Sequence, residues 1–225
     1  MLLTISDMLD EKGLLETHAL IETLRWRDGA ETAGSTAKHV KHNLQADLSS
    51  RTGVKLCKQL LVTISAHPVI RAAGQPRRFS EPVVSKTVEG GAYGLHIDNA
   101  HMGTGDSRIR TDLSYTLFLS DPQSYAGGEL VIERAGETLS VKPDAGSLVL
   151  YPSSSLHRVA EVTRGARLAV VGWIESTIPD AGEREMVFDL ENLRASLSPQ
   201  LAPQSAERLI LDKVIANLIR KFSAA

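Results

Sequence analysis

Between about residue 77 and residue 177 the chain breaks into short runs rich in β-branched and aromatic residues, fenced by Gly, Pro, Asn and Asp. The runs cover 82–88, 113–119, 129–132, 147–151 and 167–174. No long helical pattern interrupts them. That excludes a doubly wound α/β sheet and points to a sandwich or jelly roll. Helical spacing appears only on either side. Leu14, Leu20, Ile21 and Leu24 fall on one stripe, and Trp26 closes that segment. A second helix is expected over 49–66, ending at His67-Pro68, where proline disfavours continuation. Two more are expected over 183–197 and 205–222. The last carries Leu211, Ile215, Leu218 and Phe222 as a stripe flanked by Ile210 and Val214. The expected fold is a mainly β core with flanking helices (α+β). Its expected parts are an N-terminal helical region over 1–76, a β domain over 77–177 and a C-terminal helical region over 178–225.

The 225 residues suit one compact domain with additions. A formal net charge of −2 argues against nucleic acid as the main partner, because phosphate binding needs a basic surface. Cys57 is the only cysteine, so no intrachain disulfide can form, which fits a cytoplasmic location. No stretch approaches the roughly 20 apolar residues of a membrane span, and no signal peptide is read at the N-terminus.

Chemistry concentrates at His96-Ile97-Asp98. The i, i+2 spacing places an imidazole and a carboxylate on one face of a β-strand. The glycine-rich lead-in 89–94 permits a bend at the strand start. His157 is the best third ligand, arriving from a distant strand. Two His and one carboxylate on one face, with positions left open, is the arrangement of non-heme Fe(II) oxygenases. Arg167 offers a planar fork for a carboxylate-bearing cosubstrate. The turn Thr163-Arg164-Gly165 reads as a hairpin with Gly165 in the left-handed region. That register would pair Glu161 with Arg167 and His157 with Val171, and would point Arg167 into the metal cavity. His18, His39, His42, His67 and His101 read as surface or structural histidines. Each site residue also has a plainer reading: Asp98 as a turn cap, Arg167 in a surface pair with Glu161, and Tyr93, Tyr115 and Trp173 as core aromatics, the reading preferred for Trp173. Asn43 and Gln45 alternate with Leu44 and could line a substrate cleft, but a solvated strand face is the preferred reading.

Further stretches carry a family likeness. They are Tyr93-Gly-Leu-His-Ile-Asp-Asn-Ala100, Leu113-Ser-Tyr-Thr-Leu-Phe-Leu119, Tyr125-Ala-Gly-Gly-Glu-Leu130, Ala145-Gly-Ser-Leu-Val-Leu-Tyr-Pro152, and Leu156-His-Arg-Val159 with Arg167. Trp26-Arg-Asp-Gly29, Thr32-Ala-Gly34 and Asn217-Leu-Ile-Arg220 extend it to nearly the whole chain. The chain resembles the Fe(II)- and 2-oxoglutarate-dependent dioxygenases, and among them the bacterial PKHD-type hydroxylases, a prolyl/lysyl-hydroxylase-like branch. The resemblance implies a double-stranded β-helix (jelly roll). It implies His96, Asp98 and His157 as ligands of Fe(2+), and Arg167 as the partner of the distal carboxylate of 2-oxoglutarate. It implies hydroxylation of a peptidyl side chain or small molecule with O2 as cosubstrate, yielding succinate and CO2, and L-ascorbate to keep the iron reduced. Related halogenases have Ala or Gly at the carboxylate position, so Asp98 favours hydroxylation. Arg167-Leu168-Ala169 lacks the Arg-x-Ser pattern of some relatives, so another hydroxyl, Tyr115 or Tyr93, would have to assist. Two other functions use the same triad: a zinc-type metalloenzyme, with no need for Arg167, and a non-catalytic iron/2-oxoglutarate sensor. The loop 101–110 reads as a lid, and the C-terminal helices as a cover, an entrance or a homo-oligomer interface.

Overall fold

The computed structural model describes residues 1–32 and 40–224. Among these, the first strands are β1 (Leu3–Ile5), β2 (Trp26–Asp28), β3 (Lys41–His42), β4 (Leu44–Ala46), β5 (Pro76–Phe79), β6 (Val83–Val88), β7 (Ala92–His96), β8 (His101–Met102) and β9 (Ile109–Arg110). They continue as β10 (Leu113–Phe118), β11 (Ala126–Gly127), β12 (Leu130–Arg134), β13 (Glu137–Val141), β14 (Leu148–Pro152), β15 (His157–Val159), β16 (Val162–Arg164) and β17 (Ala166–Ser176). The helices are α1 (Glu11–Glu22), α2 (Arg51–Ala66), α3 (Pro68–Gly74), α4 (Ala181–Leu197) and α5 (Ala206–Phe222).

A major antiparallel sheet runs β1-β14-β10-β17-β6-β4-β2, with β5 also on β17. A minor antiparallel sheet runs β13-β12-β15-β7-β3. Together they form a jelly roll. Strand alternation gives the major sheet two different faces. Leu113, Tyr115 and Leu117 of β10, Leu148 and Leu150 of β14, and Val170 and Ile174 of β17 point to the helices. There they meet Leu56, Leu60 and Ile64 of α2, Ile70 and Ala73 of α3, and Phe188 of α4. The i, i+4 spacing of Leu56, Leu60 and Ile64 makes one apolar stripe on α2, as its sequence predicts. Burying each such side chain contributes roughly 1.5–3 kcal/mol. The opposite face packs on the minor sheet. Phe118, Val149 and Tyr151 form a small apolar cluster there with Leu130 and Ile132. The remaining space between the sheets is the cavity.

Helix ends follow ordinary capping chemistry. The side-chain oxygens of Asp10, Ser50, Asp180 and Ser205 each accept a hydrogen bond from a backbone N–H of the first turn. His67-Pro68 ends α2 as expected, but the proline also opens α3 as its first residue, where its missing N–H costs nothing. The N-terminal segment supplies strands as well as helices: β1 pairs with β14, and β4 with β6.

The expected hairpin register is wrong. Gly165 does adopt a left-handed conformation, at φ 75°. However, β16 pairs with β11, β15 pairs with β12 and β7, and β17 pairs with β10 and β6. His157 and Arg167 therefore belong to different sheets and face each other across the sandwich. The chain changes sheets between them, which local turn chemistry does not encode. Arg167 still points inward: it pairs with Thr87 on the major sheet, and both residues line the cavity.

Candidate metal and cosubstrate site

His96 ends β7 and pairs with His157 of β15, so two neighbouring strands of the minor sheet bring the imidazoles together. Their ring centroids are 4.3 Å apart. Asp98 lies beyond the end of β7, in the loop that follows, and not on the strand as the spacing suggested. It nevertheless turns inward. One ligand atom from each of His96, Asp98 and His157 lies within 4.8 Å of the others, and Asp98 Oδ2 stands 3.8 Å from His157 Nε2.

The histidine tautomers are set by the backbone. His96 Nδ1 bonds the Gly94 carbonyl at 2.8 Å, and His157 Nδ1 bonds the Ser155 carbonyl at 3.0 Å. A carbonyl only accepts, so each Nδ1 carries the proton and each Nε2 keeps its lone pair. Burial and the neighbouring His157 push the His96 imidazole down to about 4, so it is neutral at ordinary pH. Tyr93 stacks on the His96 ring, with centroids 3.6 Å apart and 17° between planes. Burial, then Asp98, push its phenol up to about 12, so it remains protonated. This donor set fits a divalent transition metal: two imidazoles bonded to the backbone through Nδ1, with Nε2 left for a ligand role, and one carboxylate, at the wall of a cavity.

The cavity is about 150 Å³, the scale of space that takes one small organic molecule. Arg167 lines it from the major sheet and is only 1% exposed. Its guanidinium lies over the Phe118 ring at 4.9 Å, and its Nε and Nη2 are buried with no hydrogen-bond partner. Burial pushes its pKa below the usual arginine range. A buried cation with two unpartnered donors is costly unless something anionic meets it. The Arg167–Glu161 pair does not form among the described residues; Arg167 is buried and Glu161 is exposed.

Several site expectations need correction. Tyr115 is fully buried in the helix-side core, on the face of β10 opposite Thr116, so it does not reach the cavity. Its hydroxyl occupies the space that Gly172 leaves open; a Cβ there would stand 2.2 Å from it. Tyr93 does line the cavity, but its ring is committed to His96. Trp173 is buried yet lines the cavity. Asn43 and Gln45 are not on a solvated face: both line the cavity, and Gln45 is buried. The segment 41–46 crosses from the minor sheet to the major one, which turns these side chains into a wall. Lys41 joins them. Burial lowers its ammonium to about 8, against the attraction of Asp98 and Asp28. Alternation about Leu44 was the available signal for that wall.

Tyr125 was overlooked although it opens Tyr125-Ala-Gly-Gly-Glu-Leu130. Its hydroxyl is buried without a partner. Gly128, at φ 68°, leaves a space bounded by the Tyr125 ring and Arg167 Cδ, where a Cβ would come within 3.0 and 3.2 Å. The loop 101–110 folds as the β8–β9 hairpin around a 3-10 turn and sends Met102 to the cavity. His101 is exposed on this hairpin. His18 bonds the Leu119 carbonyl at 2.9 Å, and His67 caps α3. His42 sits in β3, and His39 lies outside the described residues.

The 2OG-Fe(II) oxygenase superfamily model matches residues 83–175. A PKHD-type hydroxylase of Hyphomonas neptunium is 53% identical over 222 residues, covering 99% of each chain. One from Acidovorax ebreus is 42% identical over 225 residues, again covering 99% of each. Among solved structures, a Pseudomonas putida prolyl-4-hydroxylase superposes with a TM-score of 0.52 at 21% identity, over 78% of this chain and 92% of that one. A Trichoplax adhaerens prolyl hydroxylase in complex with a hypoxia-inducible-factor peptide fragment gives 0.56 at 16%, over 82% and 86%. At these identities the two structures speak for the fold, while the full-length relatives speak for the family. The chain belongs to the PKHD-type hydroxylases of the 2OG-Fe(II) oxygenase superfamily and is a 2-oxoglutarate-dependent dioxygenase.

Proposed function

We propose that His96, Asp98 and His157 hold the ferrous ion, that Arg167 receives the distal carboxylate of 2-oxoglutarate, and that the cavity between the sheets presents a substrate C–H bond for hydroxylation. The observation that carries this reading is the pairing of two features in one cavity. Three donors converge with both imidazole lone pairs free, and a buried guanidinium faces them with two unpartnered donors. When bound, iron would activate O2 as the oxidant, with 2-oxoglutarate oxidised to succinate and CO2 and the second oxygen atom delivered to the substrate C–H bond.

The protein residues bind, orient and exclude water. The backbone carbonyls of Gly94 and Ser155 fix the imidazoles. Tyr93 covers one face of His96. Arg167 supplies a rigid planar fork, which suits two-point recognition of a carboxylate better than a flexible ammonium would. Phe118, Leu130 and Tyr151 keep the surroundings apolar, so the charged contact is little screened. Tyr125, rather than Tyr115, takes the part of the assisting hydroxyl, because its ring and Arg167 Cδ both flank Gly128 and its buried hydroxyl has no partner of its own. The substrate is a peptidyl side chain or a small molecule that reaches the triad past Met102, Trp173 and the wall formed by 41–46. L-ascorbate serves to keep the iron reduced. The single cysteine suits a cytoplasmic setting, and no helix among the described residues is long and apolar enough to cross a membrane.

Succinate formation from 2-oxoglutarate tests the assignment. Wild type should turn over cosubstrate with Fe(II). Asp98→Ala should not, and Arg167→Ala should recover only at high 2-oxoglutarate. Undiminished turnover by Arg167→Ala at low cosubstrate would overturn the role given to Arg167.

A further inference from the structure

Asp98 poses a positioning problem. β7 stops at His96, so no sheet ladder holds the carboxylate that must meet two imidazoles. The loop that carries it is tied down by the short segment between β9 and β10. Thr111 bonds the loop twice, its hydroxyl to the Asn99 carbonyl at 2.5 Å and its N–H to the Ala100 carbonyl at 3.1 Å. The side chain has its own tether. Ser114 of β10 donates its hydroxyl to Asp98 Oδ2 at 2.6 Å, and Ser114 Oγ stands 2.7 Å from Ser153 Oγ. Ser114 is 0% exposed and Ser153 is 2% exposed.

The direction of this chain follows from proton counting. An ionised carboxylate can only accept, so the single Ser114 proton points at Asp98. Ser114 Oγ is then left as an acceptor, and the contact with Ser153 is satisfied only if Ser153 donates. Both hydroxyl dipoles therefore run towards the carboxylate, and each strengthens the next. Ser153 is itself fixed, because its N–H bonds the Asp112 carbonyl at 3.2 Å. A carboxylate can grip a metal through one oxygen or both. A hydroxyl held against Oδ2 occupies one of its acceptor directions and stops the group from rotating. A one-oxygen grip leaves the coordination positions that a two-point cosubstrate needs.

We propose that Ser114 and Ser153 form a directional hydroxyl relay that orients Asp98 and tunes the metal site, with Ser114 acting on the carboxylate and Ser153 acting only through Ser114. Both are positioning residues. The inference rests on the assignment of Asp98 as a metal ligand. It differs from a plain packing role, which would change the stability of the metal-free protein and leave metal affinity alone.

The test is anaerobic titration of the metal-free full-length protein with Co(II), read by visible absorption, for wild type, Ser114→Ala, Ser153→Ala and the double variant. Thermal unfolding of each metal-free protein is measured alongside. Ser114→Ala should weaken Co(II) binding about 10–100-fold and alter the band shape, the scale on which loss of a ligand's supporting partner acts. Ser153→Ala should do the same more weakly. The double variant should match Ser114→Ala, because a relay acting through one residue is non-additive. Wild-type affinity and band shape in Ser114→Ala would overturn the relay and leave the triad standing. So would a double variant that loses the sum of the two single effects. If Ser114→Ala does not fold, Ser153→Ala decides: a weakened, altered site supports the relay, and a wild-type site overturns it. Failure of wild type itself to bind Co(II) would overturn the triad and the relay together.

Discussion

The two faces of the major sheet are built from the same strands and serve opposite ends. On β17, Leu168, Val170 and Ile174 pack towards the helices, while Arg167, Val171 and Trp173 face the cavity. On β10, Leu113, Tyr115 and Leu117 are core, while Ser114 and Thr116 face the metal side. The helix face buries almost entirely apolar groups, its exception being the Tyr115 hydroxyl, which has no hydrogen-bond partner. The cavity face carries a buried guanidinium and a buried indole N–H without partners. Unsatisfied buried donors are costly unless something compensates, and the carboxylate-bearing cosubstrate proposed for the cavity would meet that need at Arg167. Stability and function are thus separated by one residue step along a strand.

That separation can be broken by substitution. The largest effect is expected from Asp98→Ala, which removes one of the three proposed metal donors. Fe(II) affinity should fall by more than the roughly 10–100-fold that loss of a mere supporting partner causes, while thermal stability of the metal-free protein should change little. Next, Arg167→Ala should cost about 2–5 kcal/mol of 2-oxoglutarate affinity, the scale for truncating one side of a buried charged contact. Calorimetry of the metal-loaded protein checks it. On the other face, Leu60→Ala should cost about 2–5 kcal/mol of folding stability by denaturant unfolding, with cosubstrate affinity unchanged. An effect of Leu60→Ala on affinity would show that the faces are coupled. Tyr125→Phe should cost only about 0.5–1.5 kcal/mol of 2-oxoglutarate affinity, the worth of one neutral hydrogen bond.

One further effect concerns pH. The folded-state pKa of His96, about 4, lies below the ordinary value of 6.5. Between these values the unfolded chain takes up a proton that the folded one refuses. The metal-free protein should therefore lose stability as pH falls from 6.5 towards 4. His96→Gln should flatten that slope in unfolding curves taken across the window.

Much of the helix face was legible in sequence, because periodicity is a local property. The helix α2 and the runs that became β6, β10, β12, β14 and β17 were legible from local pattern. The triad was legible for a different reason: His96 and Asp98 are close in sequence, and the family stretches surround them. What escaped was non-local. Whether His157 continued into a hairpin with Arg167 depended on a change of sheet that Thr163-Arg164-Gly165 does not announce. The cavity wall at Lys41, Asn43 and Gln45 depended on a crossing between sheets, and the true place of Tyr115 on which face of β10 met the helices. Alternation gives two faces but does not say which is the core. The strand β13 was missed because Glu137–Val141 is mostly solvated and carries little apolar signal.

The most direct test of the site is anaerobic titration of Fe(II)-loaded protein with 2-oxoglutarate, followed by visible absorption, in wild type, Asp98→Ala and Arg167→Ala. Chelation of an open ferrous site by the 2-oxoacid should give wild type a charge-transfer band that saturates with cosubstrate. Asp98→Ala should fail to retain iron, and Arg167→Ala should need far more 2-oxoglutarate to reach the same band. A wild type that binds Fe(II) yet shows no spectral response to 2-oxoglutarate would contradict the pairing of the triad with Arg167.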